Sequence, residues 1–141
     1  MNGSSPQKTG GRNTIRIGLT CVLSAIAVLI YFVIQLQADS VNRRNFQELE
    51  TRARQILTVL AASDSEQGRY PASHEEFTQT LATFDPTLSA VLKQREILAD
   101  FIPAKQGQTF TLSLKNKGQP GFAYICQGNQ NCHWQPHLPY P

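Results

Sequence analysis

Residues 17–36, IGLTCVLSAIAVLIYFVIQL, contain no charged side chain. That run has the length, about 20 residues, at which an α-helix crosses the hydrocarbon core of a bilayer. A helix is also the form in which one such segment satisfies all of its own backbone groups there. A buried core helix is the alternative, but it needs protein on every side, and a chain of 141 residues is too small to supply it. The run is longer than the apolar region of a secretory signal, and no Ala-x-Ala site follows it. Cys21 does not fit a lipoprotein site, because no apolar stretch precedes it and Thr20 stands where a small residue belongs. It reads as a small apolar residue in lipid.

The span divides the chain into three parts. Residues 1–14, MNGSSPQKTGGRNT, have too few apolar side chains to offset the entropy of ordering and read as a flexible cytoplasmic tail. Residues 15–38 hold the transmembrane helix. Residues 39–141 form one extracytoplasmic domain of roughly 100 residues, large enough for a small core that a staple would help. The net charge of +3 is spread along the chain, and Arg43, Arg44, Arg52 and Arg54 share their helix with Glu48 and Glu50. A nucleic-acid reader would show a basic face interleaved with aromatics, so nucleic acid is not an expected partner.

Topology follows from the cysteines. Lys8, Arg12 and Arg16 on one side of the span are nearly balanced by Arg43 and Arg44 on the other, so the positive-inside count does not decide. Cys126 and Cys132 flank the polar stretch QGNQN. Two cysteines so close in a small domain point to a disulfide, which needs an oxidising compartment. Two free thiols, or a metal site with His133 and His137, are the alternatives. The metal site lacks the usual Cys-x(2–4)-Cys spacing, so no metal and no cofactor is expected. The domain is therefore placed outside the cytoplasm, on a single-pass membrane protein with a cytoplasmic amino terminus.

Beyond the span, Phe46, Leu49, Ala53, Ile56, Leu57, Leu60 and Ala61 form a helical stripe. Glu48 with Arg52 and Glu50 with Arg54 are i,i+4 pairs on the other face, acid first, the more favourable order. Neither Pro nor Gly interrupts residues 19–67, so one helix is expected to run from the membrane into the domain, with room for a bend near QADS. About 45 residues at 1.5 Å each give roughly 65–70 Å. Gly68 offers a left-handed cap and Pro71 forbids continuation while biasing Tyr70 to an extended conformation. Ser73 and Glu76 form a capping box for a short helix over 73–84. Asp85 caps the next, with Pro86 at its first position and Leu88, Val91 and Leu92 following. A second break comes near IPAKQGQ. The period then changes to two: QTFTLSLKN places Phe110, Leu112 and Leu114 on one face, NKGQPG is a turn, GFAYICQ is a strand with Phe122, Tyr124 and Cys126 on one face, and HWQP gives a short third. The fold class is α+β, a spine helix packed on a small antiparallel meander.

This order of parts, with GRYPAS at 68–73 directly after the long helix, resembles the type IV pilin and type II secretion pseudopilin family. The resemblance implies a membrane-anchored helix whose second half packs on a small sheet, a carboxy-terminal disulfide matching Cys126 and Cys132, and other pilin-like or envelope-machine proteins as partners beside the lipid bilayer. It also implies a processing site at Gly18–Leu19, preceded by Arg12 and Arg16. The family's Glu five positions after the cut is Leu23 here, which fits a minor or tip-located member rather than a repeated filament subunit. The function so implied is that of a non-enzymatic accessory subunit of a pilus or secretion-type machine. A single-pass membrane protein whose outer domain binds a partner in an envelope complex is the alternative. No small-molecule substrate is evident. Of the three histidines, His74 follows a Ser engaged in capping, and no nucleophile elbow, zinc-protease or phosphate-loop motif occurs.

Overall fold

The computed structural model describes Gly3 and residues 10–138. Two units are distinguished within it, residues 1–43 and 44–141. Helix α1 spans Gly10–Gln67 and passes through QADS without a break. It begins at Gly10, five residues before the expected start at Ile15, so part of the proposed tail is helical. Residues 1–2 and 4–9 of that tail lie outside the described residues.

Within the first unit, residues 11–38 of α1 leave every large apolar side chain exposed, from Ile15 to Leu36. A helix apolar all round and uncovered has no reason to be stable in water. It is long and apolar enough to cross a membrane.

The second unit is an α+β domain. After α1 come α2 (His74–Phe84), α3 (Pro86–Gln94), β1 (Ile97–Ala104), a single 3-10 turn (Lys105–Gly107), β2 (Thr109–Asn116), β3 (Ala123–Gln127) and β4 (Asn131–Gln135). The sheet is antiparallel in the order β1-β2-β3-β4. Register places Phe101, Leu112, Cys126 and Cys132 in one row across it, and Ala99, Leu114, Tyr124 and Trp134 in the next. These rows form the inner face. They close a core with Leu49, Ala53, Ile56, Val59 and Leu60 of α1, Phe77 and Leu81 of α2, and Leu88 and Leu92 of α3. Each fully buried Leu, Ile or Phe contributes about 1.5–3 kcal/mol of transfer free energy.

Three expectations need correction. The stripe on α1 ends on Ser63, not Ala61: Val59 and Ser63 are buried, Leu57 is half-buried, and Ala61 is exposed. Glu50 does not pair with Arg54 but accepts the indole N–H of Trp134 at 2.8 Å. Glu48 does reach Arg52, and also Arg95 of the α3 cap at 3.4 Å. Finally, the sheet has four strands, because residues 97–104 form β1 where only a break at IPAKQGQ was expected. In ILADFIP, Ile97, Leu98, Phe101 and Ile102 repeat at helical spacing, which hides the strand. Leu98 and Ile102 lie on the outer face and stay exposed, which a two-sided apolar run does not announce. The helix before it ends without a glycine: Glu96 itself adopts a left-handed φ of 53°. Lys117 supports that turn by donating its backbone N–H to the Glu96 carbonyl at 3.1 Å and its ammonium to the Glu96 carboxylate at 3.3 Å.

Candidate functional site

The residues singled out in the sequence fall into three places. Gly68, Tyr70, Pro71, Ser73 and Glu76 build the junction where the chain leaves the spine helix. Cys126 and Cys132 join the last two strands. Gly18 and Leu19 lie on the exposed apolar stretch of α1.

The junction is a closely bonded corner. Gly68 takes a φ of 72° and donates its N–H to the Asp64 carbonyl at 2.8 Å, ending α1. Tyr70 then docks on the turn between β1 and β2, its N–H donating to the Gly107 carbonyl at 2.9 Å. Its ring meets Phe110 edge-on at 4.8 Å, and its hydroxyl accepts from the Asn129 side chain at 3.2 Å. Burial, and then the Asp64 carboxylate, push the Tyr70 phenol up from its ordinary value, so it stays neutral. Pro71 is fully buried. The Tyr-Pro pair thus fixes where the returning chain lies against the sheet.

Gly107 makes this approach possible. Its φ is 85°, and a β-carbon there would sit 3.0 Å from the Tyr70 carbonyl oxygen. Gly107→Ala is expected to cost about 1–2 kcal/mol through left-handed strain and this contact. Urea titration of the sheet would register the loss.

The capping box forms with one shift. Ser73 Oγ accepts the Glu76 N–H at 3.1 Å, but the Glu76 carboxylate reaches one residue further back than the usual box, to the Ala72 N–H at 2.9 Å. Arg69 grips the same carboxylate at 2.9 Å. The Ala72 N–H first, then Arg69, hold the Glu76 carboxyl below its ordinary value. A depressed carboxyl stabilises the fold above its unfolded pKa, and that stabilisation is lost as pH falls through the folded value. Glu76→Gln is therefore expected to lower stability at neutral pH and to flatten the acid-side decline, a difference measurable by thermal melts across the acid range.

The second place is the β3–β4 hairpin. Cys126 and Cys132 are direct cross-strand partners and are disulfide-bonded, with Cα atoms 4.0 Å apart. Cys21 is a free, exposed thiol. His133 projects to the exposed face of β4, and among the described residues no group of His, Cys, Asp or Glu side chains is placed to hold a metal. The aromatic anchor beside the hairpin was not foreseen. Trp134 packs edge-on to Phe46 at 5.0 Å, Phe122 meets the same ring at 5.2 Å, and Tyr124 lies 5.0 Å from Trp134. Burial, then Glu50, push the Tyr124 phenol up, with Arg54 opposing. The only sequence signal for this cluster is that Phe46 opens the stripe and that Trp134 is the sole tryptophan.

The third place is plain. Gly18 lies inside α1, and a β-carbon there would touch nothing within 4 Å. The glycine is thus not demanded by packing within the chain, although it weakens a helix relative to alanine. The neighbouring hydroxyls fold back on their own helix: Thr20 Oγ1 donates to the Arg16 carbonyl and Ser24 Oγ to the Thr20 carbonyl.

Comparison with family models, with curated proteins and with solved structures gives no match for this chain. What the coordinates define is an architecture: a long apolar amino-terminal helix followed by a small four-stranded antiparallel sheet carrying a disulfide. That architecture is pilin-like.

Proposed function

We propose that this chain is a non-enzymatic, pilin-like accessory subunit, a minor pilin or pseudopilin, of a pilus or secretion-type envelope machine. The observation that carries the proposal is helix α1. One uninterrupted helix is uncovered and apolar over residues 17–36 and supplies the core stripe of an α+β domain over residues 46–63. The GRYP corner that follows turns the chain back onto the sheet, as the resemblance implies. In this reading the apolar stretch crosses the inner membrane, the amino terminus is cytoplasmic, and the disulfide-bonded domain lies in the periplasm. The lipid bilayer and other pilin-like helices are its partners. The lack of an enzymatic role is supported by the way the nearest candidates are engaged: Ser73 Oγ takes the Glu76 N–H, and His74 Nδ1 takes the Phe101 N–H at 3.4 Å.

Leu23 favours a second reading. Without an acid in the apolar helix, a neighbour's charged amino terminus would remain unpaired in lipid, which is costly. A single-pass membrane protein with a protein-binding outer domain needs no such acid. An exchange of residues 17–36 for an unrelated apolar segment tests the first reading against the second. The accessory-subunit reading expects the chimera to stay in the membrane but to lose association with its machine. Full association by the chimera would reduce the helix to an anchor and leave function in the outer domain.

A further inference from the structure

The two edges of the sheet are built differently. On β1 the Phe101 N–H is taken by Nδ1 of His74, Pro103 has no N–H to offer, and α2 and α3 pack beside the strand. That edge is closed to a further strand. On β4 these devices are missing. Among the described residues β4 pairs with β3 alone, and no other strand lies along its outer edge. Its sequence, Asn131-Cys132-His133-Trp134-Gln135, holds no Lys, Arg, Asp, Glu or Pro, the residues that normally protect an edge. The uncharged character extends well beyond it, since the chain from Gly118 onward has no acidic residue, lysine or arginine.

This unprotected edge is nevertheless held rigid. The Cys126–Cys132 bond ties β4 to β3, and Trp134 ties it to α1 through Glu50 and Phe46. The hairpin loop is pinned as well: the Gly128 N–H donates to the Phe110 carbonyl at 2.9 Å, and Asn129 donates to the Tyr70 hydroxyl. A short strand at a sheet edge would otherwise fray. Fixing it in advance removes an ordering cost from any strand that docks there.

We propose that the outer edge of β4 accepts an extended, uncharged segment of a partner protein as a fifth strand. Main-chain hydrogen bonds supply the affinity in this mode, and alternate side chains supply the specificity. Beside the exposed Asn131, His133 and Gln135 the segment carries amide or hydroxyl side chains. Beside the half-buried Trp134 it carries an apolar one. A charged segment would find no counter-charge anywhere along this hairpin. A second copy would present an edge of the same uncharged kind, and the experiment below separates that occupant from a partner segment.

The test is selection of random extended peptides, displayed on phage, against the full chain in detergent micelles, followed by amide hydrogen exchange. Uncharged peptides are expected. They should slow exchange at 131–135, lose binding when their backbone is N-methylated, and change affinity less than about twofold with salt. His133→Lys, at an exposed side chain that folding does not need, should weaken them about tenfold by placing a charge on the edge. Selected peptides that are charged and salt-sensitive, or that protect other segments, overturn the proposal, as does a library from which nothing slows β4. Cross-linking of two copies through Gln135→Cys would put a second chain on the edge and overturn it as well. None of these readouts depends on topology in a membrane, so failure of the anchored reading leaves them intact.

Discussion

Replacing Ile56 by Asp is expected to unfold the sheet-bearing domain. Ile56 is fully buried at the centre of the α1 stripe. The variant forfeits the transfer free energy of the side chain and places a carboxylate among buried apolar side chains. Together these cost roughly 4 kcal/mol or more, close to the whole stability of many small domains. The readout is amide exchange in β2, since the apolar stretch of α1 stays helical in detergent and would mask a loss of domain structure in circular dichroism. Leu57→Asp, at a half-buried position, is expected to be milder, and Ala61→Asp, on the exposed side, to change stability by less than about 0.5 kcal/mol. A domain that protects β2 equally in all three variants would contradict the packing described.

The second large effect is expected from the disulfide. Cys126→Ala with Cys132→Ala releases a loop with a sequence separation of 6 and should lower stability by about 2–3 kcal/mol. The loss should begin at β4, because the bond is that strand's covalent tie to β3. Trp134, the only tryptophan, sits on that strand and reports its detachment from Phe46 by fluorescence. Urea titration that gives the same midpoint and slope as the parent would show that the aromatic anchor and the ladder suffice without the bond. Cys21, a free cysteine on the apolar stretch, has no part in this.

The elements legible in the sequence were those whose signals are local. Ser73 with Glu76 and Asp85 with Pro86 each place a capping side chain a few residues from the N–H it satisfies, so α2 and α3 begin where their caps stand. Strand β2 alternates cleanly because its outer face, Thr109, Thr111, Ser113 and Lys115, is polar, and β3 was legible as a short apolar run between two turns. Strand β1 was illegible for two physical reasons. Its outer face carries Leu98 and Ile102, which turn a period of two into helical spacing, and the turn before it relies on Glu96 at a positive φ, held by Lys117 from a distant turn. The α1 stripe was misread at its end, on Ala61 instead of Ser63, because the partners that decide burial, such as Phe110 and Leu112, come from far along the chain. For the same reason Glu50 was assigned to its helical neighbour Arg54, when the stronger partner is the indole of Trp134. In the candidate site, the GRYP corner was legible as a stop. Its seat on Gly107 was not, since nothing near residue 70 points to a glycine 37 residues onward with a left-handed φ.

The proposed membership of an envelope machine is tested most directly by the mature amino terminus. Mass spectrometry of the protein extracted from its native membrane reads it. The accessory-subunit account predicts a chain that begins at Leu19, with residues 1–18 removed after Gly18. A chain that retains Arg12 and Arg16 ahead of the apolar stretch would contradict it and leave a single-pass membrane protein with a binding domain.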